Sequence, residues 1–205
     1  MKHIYLISAL AIGMLLSACK SSKNTLDGPG MVKGATPQQV REMYKLSTAF
    51  EKDAAGKVTH IVLLSSFSGG EKKQVARVEL EEPVEESAFE GYETMQEHDL
   101  NFDGMSDVQV FKGRIINSIY WEGFVWNPKK NKFEIIDGFN RIPNASPSTH
   151  GDCILGICED DPTEMVLSRY EWKAGYLIKV DEERHRLIID PGPIPVPTEG
   201  EPVWR

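Results

Sequence analysis

Basic residues are in the minority: 23 Lys and Arg stand against 31 Asp and Glu, a formal charge of −8. That balance excludes the broad cationic surface with which a protein neutralises phosphates, so no nucleic-acid partner is expected. An acidic surface fits a cationic partner and plain solubility equally well. Histidine is also sparse, with residues at 3, 60, 98, 150 and 185 in no local pattern. The chain has neither a G-x-S-x-G elbow nor an H-E-x-x-H pair, so a binding module is expected and not an enzyme. No apolar run reaches the roughly 20 residues of a membrane-spanning helix. Cysteine occurs only at positions 19, 153 and 158.

The apolar run that does occur is N-terminal. Lys2 and His3 precede Ile4 to Leu16, interrupted only by Tyr5, Ser8 and Gly13, and polar Lys20-Ser21-Ser22-Lys23-Asn24 follows. This is the plan of a signal peptide over residues 1–18. Its last residues, Leu16-Ser17-Ala18-Cys19, resemble the lipobox of bacterial lipoproteins, in which the cysteine receives a diacylglyceryl group. The resemblance implies a membrane anchor at Cys19 through acyl chains such as palmitate, each buried methylene contributing about 0.8 kcal/mol. Lys20 after that cysteine, and not an aspartate, implies sorting to the outer membrane, facing the periplasm. Removing residues 1–18 takes away Lys2 and no acid, so the charge of −8 becomes about −9.

With Cys19 lipidated, Cys153 and Cys158 remain, and an oxidising periplasm would join them across Ile154-Leu155-Gly156-Ile157, with Gly156 closing a tight loop. A small disulfide staple is expected there. Zinc would need further ligands that His150 alone does not supply, and the spacing is not C-x-x-C.

Residues 19–35 read as a tether, rich in Ser, Lys, Asn, Gly and Pro. A domain over 36–190 follows, long enough for one hydrophobic core. Thr36-Pro37-Gln38-Gln39 combines an N-cap, a proline at the first helical position and a glutamine three residues after the threonine, which predicts one short helix to about Tyr44. Everything after it is strand-like, so the fold class is mainly β, built of antiparallel hairpins in a propeller-like or sandwich-like arrangement. One hairpin joins Leu46–Glu51 to Val58–Leu64. A second joins Ile119–Trp126 to Phe133–Ile136, and a third joins Leu167–Trp172 to Tyr176–Val180. Tyr120, Trp121, Phe124, Trp126, Tyr170 and Trp172 are read as packing residues. Residues 191–205 form a proline-rich tail whose alternate prolines preclude a central strand.

One segment carries chemistry. In Asp99-Leu100-Asn101-Phe102-Asp103-Gly104-Met105-Ser106-Asp107, side-chain oxygens fall at relative positions one, three, five and nine, with glycine at six. That is the first part of an EF-hand-type calcium loop, in which alternate residues turn their oxygens inward and glycine takes the sharp turn. Asp99, Asn101, Asp103 and Asp107, with the Met105 carbonyl, are the candidate Ca2+ ligands, and the ion would be structural. Val110 stands where the bidentate glutamate of a full EF-hand belongs, so the loop leads into a strand, Val108-Gln109-Val110-Phe111, and not into a helix. Hard oxygen donors suit calcium better than zinc or copper. The alternative is an Asx-rich turn held by its own hydrogen bonds.

His98-Asp99-Leu100-Asn101-Phe102-Asp103-Gly104, the Asn127-Pro128 hairpin ending in Phe133, and Tyr170-Glu171-Trp172-Lys173-Ala174-Gly175-Tyr176-Leu177 resemble periplasmic calcium-binding proteins of Gram-negative bacteria that include propeller-like inhibitors of c-type lysozyme. The resemblance spans residues 85–185. It implies a protein partner: a cell-wall hydrolase such as lysozyme that is bound and inhibited, or, alternatively, a toxin delivered by a secretion system such as type VI, which an immunity lipoprotein would neutralise. An envelope enzyme or an assembly factor is the more distant alternative.

Overall fold

The computed structural model describes residues 34–186. The expected signal peptide, the lipid site at Cys19, most of the tether and the 191–205 tail lie outside the described residues.

The first element is the helix α1 (Pro37–Glu42), and both halves of the capping box are made. Gln39 N–H donates to Thr36 Oγ1 at 3.2 Å, and Thr36 N–H donates to Gln39 Oε1 at 2.8 Å. These bonds satisfy amides that a helix start leaves open. Apart from two 3₁₀ turns, Glu86–Phe89 and Phe139–Arg141, the regular structure that follows is β, in three antiparallel sheets.

The first sheet holds β1 (Tyr44–Lys52), β2 (Val58–Phe67) and β3 (Lys73–Val84) in sequence order. The second holds β4 (Met95–His98), β5 (Asp107–Ile115), β6 (Ser118–Asn127) and β7 (Lys132–Ile135), again in order. The third comprises β8 (Ser146–Pro147), β9 (Ile154–Asp161), β10 (Glu164–Lys173) and β11 (Tyr176–Arg186), with β11 and β8 at its edges. All three predicted hairpins form, as β1–β2, β6–β7 and β10–β11. The candidate calcium loop is preceded by β4, and between β3 and β4 the chain forms a 3₁₀ turn, Glu86–Phe89.

The second sheet lies between two hydrophobic cores. Ile61 and Leu63 of β2 and Val78 and Leu80 of β3 meet Val108, Val110 and Phe124 in one of them. In the other, Leu100, Trp121, Ile136, Phe139 and Ile142 meet Ile154, with Tyr170, Trp172 and Leu177 packed alongside. This explains why Trp121, Glu122, Gly123 and Phe124 of β6 are buried in succession: both faces of the strand are covered there. Gly123 makes room for the second core, since a Cβ there would lie 2.7 Å from the Phe139 ring.

The expected disulfide is not formed. Cys158 lies within β9 and pairs with Val166, and Cys153 immediately precedes the strand. Five steps of extended chain separate their Cα atoms by roughly 16 Å, well beyond the roughly 7 Å limit for a disulfide; no disulfide joins them. Gly156 therefore closes no loop. Its role is close packing, because a Cβ there would lie 2.6 Å from Ile142 Cγ2.

Candidate calcium loop

β4 and β5 are adjacent antiparallel strands, and the pairing of His98 with Asp107 closes the loop between them. Within it the side chains alternate in character as the sequence pattern predicts. Leu100 is fully buried and Phe102 packs against the same core. Asp99, Asn101 and Asp103 gather on the other side. Gly104 has φ of 82°, the left-handed conformation that the sharp turn requires.

The polar groups of the loop converge closely. The Asp103 N–H donates to Asp99 Oδ1 and to Asn101 Oδ1, both at 3.1 Å. The Gly104 N–H donates to Asp99 Oδ2 at 2.8 Å, and the Met105 N–H to Asp103 Oδ1 at 2.9 Å. Asn101 Nδ2 donates to Asp103 Oδ2 at 2.9 Å. The three side chains nearest the head of the motif are thus brought together. Each carboxylate oxygen accepts a single bond from these donors and retains acceptor capacity.

Asp107 is placed differently. It is fully buried, and its carboxylate accepts three backbone N–H bonds: from Leu100 at 2.9 Å and Asn101 at 3.2 Å on Oδ2, and from Trp126 at 2.7 Å on Oδ1. Burial pushes its carboxyl up to about 7, with the nearby Asp103 charge acting in the same direction and the three amides opposing.

The loop is tied to the fold from several sides. Trp172 Nε1 of β10 donates to the Leu100 carbonyl at 2.7 Å, linking loop and third sheet. Arg41 of α1, itself buried, donates through Nε to the Ser106 carbonyl at 2.6 Å and forms an ion pair with Glu97 at 2.7 Å. Ser106 Oγ donates to the same Glu97 carboxylate at 3.1 Å. The Arg41 guanidinium also lies over the Phe133 ring, 4.9 Å from its centroid. A cavity of about 440 Å³ opens between α1 and the loop, bordered by Arg41, Glu97, Asp99 and Met105.

The fit to calcium rests on donor chemistry. Asp99, Asn101 and Asp103 offer hard oxygen atoms in one cluster, of the kind that builds a six- to eight-oxygen shell. Among the described residues no group of three or more His, Cys, Asp or Glu side chains is arranged to hold a metal ion. Sequence reasoning did not anticipate Arg41, Trp126 or Trp172 as supports. Arg41 in an otherwise polar helix offered no pattern, and the indole bond of Trp172 spans 72 positions along the chain.

No protein-family model matches this chain, and no curated protein matches it. Among solved structures, it is similar to one described as a Xanthomonas Type IV Secretion System related protein. The two share 15% identity, the match covers 69% of this chain and 78% of the other, and the TM-score is 0.49.

Proposed function

We propose that this protein is a periplasm-facing lipoprotein, anchored in the outer membrane through Cys19, whose calcium-pinned β domain binds and inhibits another protein, a cell-wall hydrolase such as c-type lysozyme. The observation that carries this reading is the Asp99–Asp107 loop. Its Asp99, Asn101 and Asp103 side chains are joined by the loop's own hydrogen bonds, on a segment resembling the calcium loops of the inhibitor-containing family. Asp99, Asn101 and Asp103, with the Met105 carbonyl, would hold the ion, while Asp107, expected from the sequence as a further ligand, is fully buried with its carboxylate taken up by three backbone amides; the ion's contribution is charge neutralisation within a loop that ties α1 and the second and third sheets together.

The test is lysis of a cell-wall suspension by c-type lysozyme, with the protein added in calcium and again in chelator. Inhibition that weakens in chelator supports both partner and ion. Equal inhibition in both buffers removes calcium from the account. Absence of inhibition in either buffer rejects the hydrolase and moves the reading to a toxin partner. Calcium itself is read separately by thermal melting. A ligand at 100 times its dissociation constant stabilises by about 2.7 kcal/mol, and Asp103→Ala should abolish that gain.

A further inference from the structure

A groove of about 640 Å³ opens between the first and second sheets, bordered by Leu80, Phe89, Tyr92, Phe111, Arg114 and Ile115. Its wall is aromatic. The Phe89 and Phe111 rings meet edge to face with centroids 5.5 Å apart, and Phe89 stacks in turn on Phe50 at 4.9 Å. Tyr92 and Ile115 are 58% and 45% exposed, so large apolar side chains along the groove stand in water. Apolar surface gathered in a concave site is what a binding groove presents. Arg114 adds a positive charge there, and it forms no ion pair among the described residues.

The described chain ends close to that groove. Arg186, the last residue of β11, pairs with Glu164 of β10, and Glu164 pairs with Asp161 of β9. Two strand spacings of about 4.8 Å therefore separate Arg186 from β9. Two positions back along β9, the Glu159 carbonyl accepts a hydrogen bond from Asn117 Nδ2 at 3.0 Å. Asn117 lies in the turn that follows Ile115, so β9 connects the end of β11 to the groove. Residues 187–205 follow, and in them Pro191-Gly192-Pro193-Ile194-Pro195-Val196-Pro197 alternates proline with small or apolar residues. As polyproline II that run would extend about 22 Å, and the residues from Leu187 to Asp190 before it can reach about 13 Å. The length suffices to pass from Arg186 to the groove and lie along it.

We propose that the groove is the docking site of this chain's own Pro191–Pro197 segment, bound as a polyproline II strap against Phe89, Tyr92 and Phe111. Aromatic-lined grooves recognise proline-rich segments because the extended backbone has little conformational freedom left to lose. Charge sets the direction of entry: Asp190 immediately precedes the strap and supplies a carboxylate for Arg114. Attachment to the same chain presents the segment at an effective concentration on the order of millimolar, so a modest apolar contact suffices to hold it.

The experiment places the photo-cross-linker p-benzoylphenylalanine at position 194 of the full chain, irradiates the protein at low micromolar concentration, and maps the products by gel mass and peptide sequencing. The expected product has the mass of one chain, with the cross-link on the peptides that carry Leu80–Tyr92 or Phe111–Ile119. Tyr92→Ser combined with Arg114→Glu should lose most of that product while melting at the parent's temperature, since both side chains are exposed. Adding Asp190→Arg to Arg114→Glu should restore it, which a merely misfolded groove would not allow. Products with the mass of two chains overturn the proposal in favour of a second copy's tail. Cross-links outside the groove, or none, overturn it too and leave the groove to a different protein. Undiminished product in the double groove variant overturns it as well.

Discussion

The backbone N–H of Trp126 donates to Oδ1 of Asp107 at 2.7 Å, inside the protein and 19 positions apart in sequence. The same carboxylate, through Oδ2, accepts the N–H groups of Leu100 and Asn101. One side chain at the first residue of β5 therefore fixes both the end of β6 and the entry to the candidate calcium loop. Asp107→Asn keeps the shape but turns an amide NH₂ toward N–H donors, whichever way it is flipped. At least one buried amide then loses its acceptor, and destabilisation of about 2–3 kcal/mol is expected in urea unfolding.

Trp172→Phe removes the indole N–H that holds the Leu100 carbonyl and keeps most of the ring's apolar area. A loss of about 1 kcal/mol is expected, read as a lower urea midpoint with an unchanged slope. A changed slope would mean that the third sheet had detached from the loop.

Gly123→Ala should be more damaging than its size suggests. The added Cβ would lie 2.7 and 2.8 Å from atoms of the Phe139 ring and 2.9 Å from Ile136 Cδ1, so the core must shift at a cost of about 1–3 kcal/mol. Phe139→Leu in the same chain should relieve part of that clash. In a double-mutant cycle the pair should therefore be less destabilised than the sum of the single changes.

Glu134 offers a pH test. Hydrogen bonds from Lys130 first, then from Asn127, hold its carboxyl down at about 2. A depressed folded-state value stabilises the protein above the unfolded carboxylate range near 4.3, and that contribution is lost as pH falls through about 2. Glu134→Gln should therefore be less stable than the parent at pH 7, and the difference should vanish near pH 2. Its side chain is 31% exposed, so solvent screening limits the effect to about 1 kcal/mol or less. A difference that persists unchanged at pH 2 would show that shape and not charge is responsible.

The clustering of Asp99, Asn101 and Asp103 and the helix cap were legible for the same reason: their chemistry lies between residues a few positions apart. Thr36 and Gln39 satisfy each other across three residues. Asp99, Asn101 and Asp103 alternate so that their oxygens converge with no help from elsewhere in the chain. The hairpins were legible because a turn and two strand-like runs are contiguous. The Cys153–Cys158 staple failed where local reasoning had no access to pairing: β10 recruits residues 154–161 into an extended strand, and a strand cannot bring its own ends together.

What the sequence by itself determined is therefore the class and the local pieces: a mainly β chain of antiparallel hairpins, a capped short helix, and an oxygen-lined loop leading into a strand. Only the tertiary structure decided that Asp107 is a buried tie between strands, that Arg41 and Trp172 hold the loop, that glycine is required at 123 and 156, and that Tyr92 and Phe111 border one groove. Each of these depends on packing between segments far apart in the chain. Burial and steric contact are properties of the folded assembly, and no window of neighbouring residues contains them.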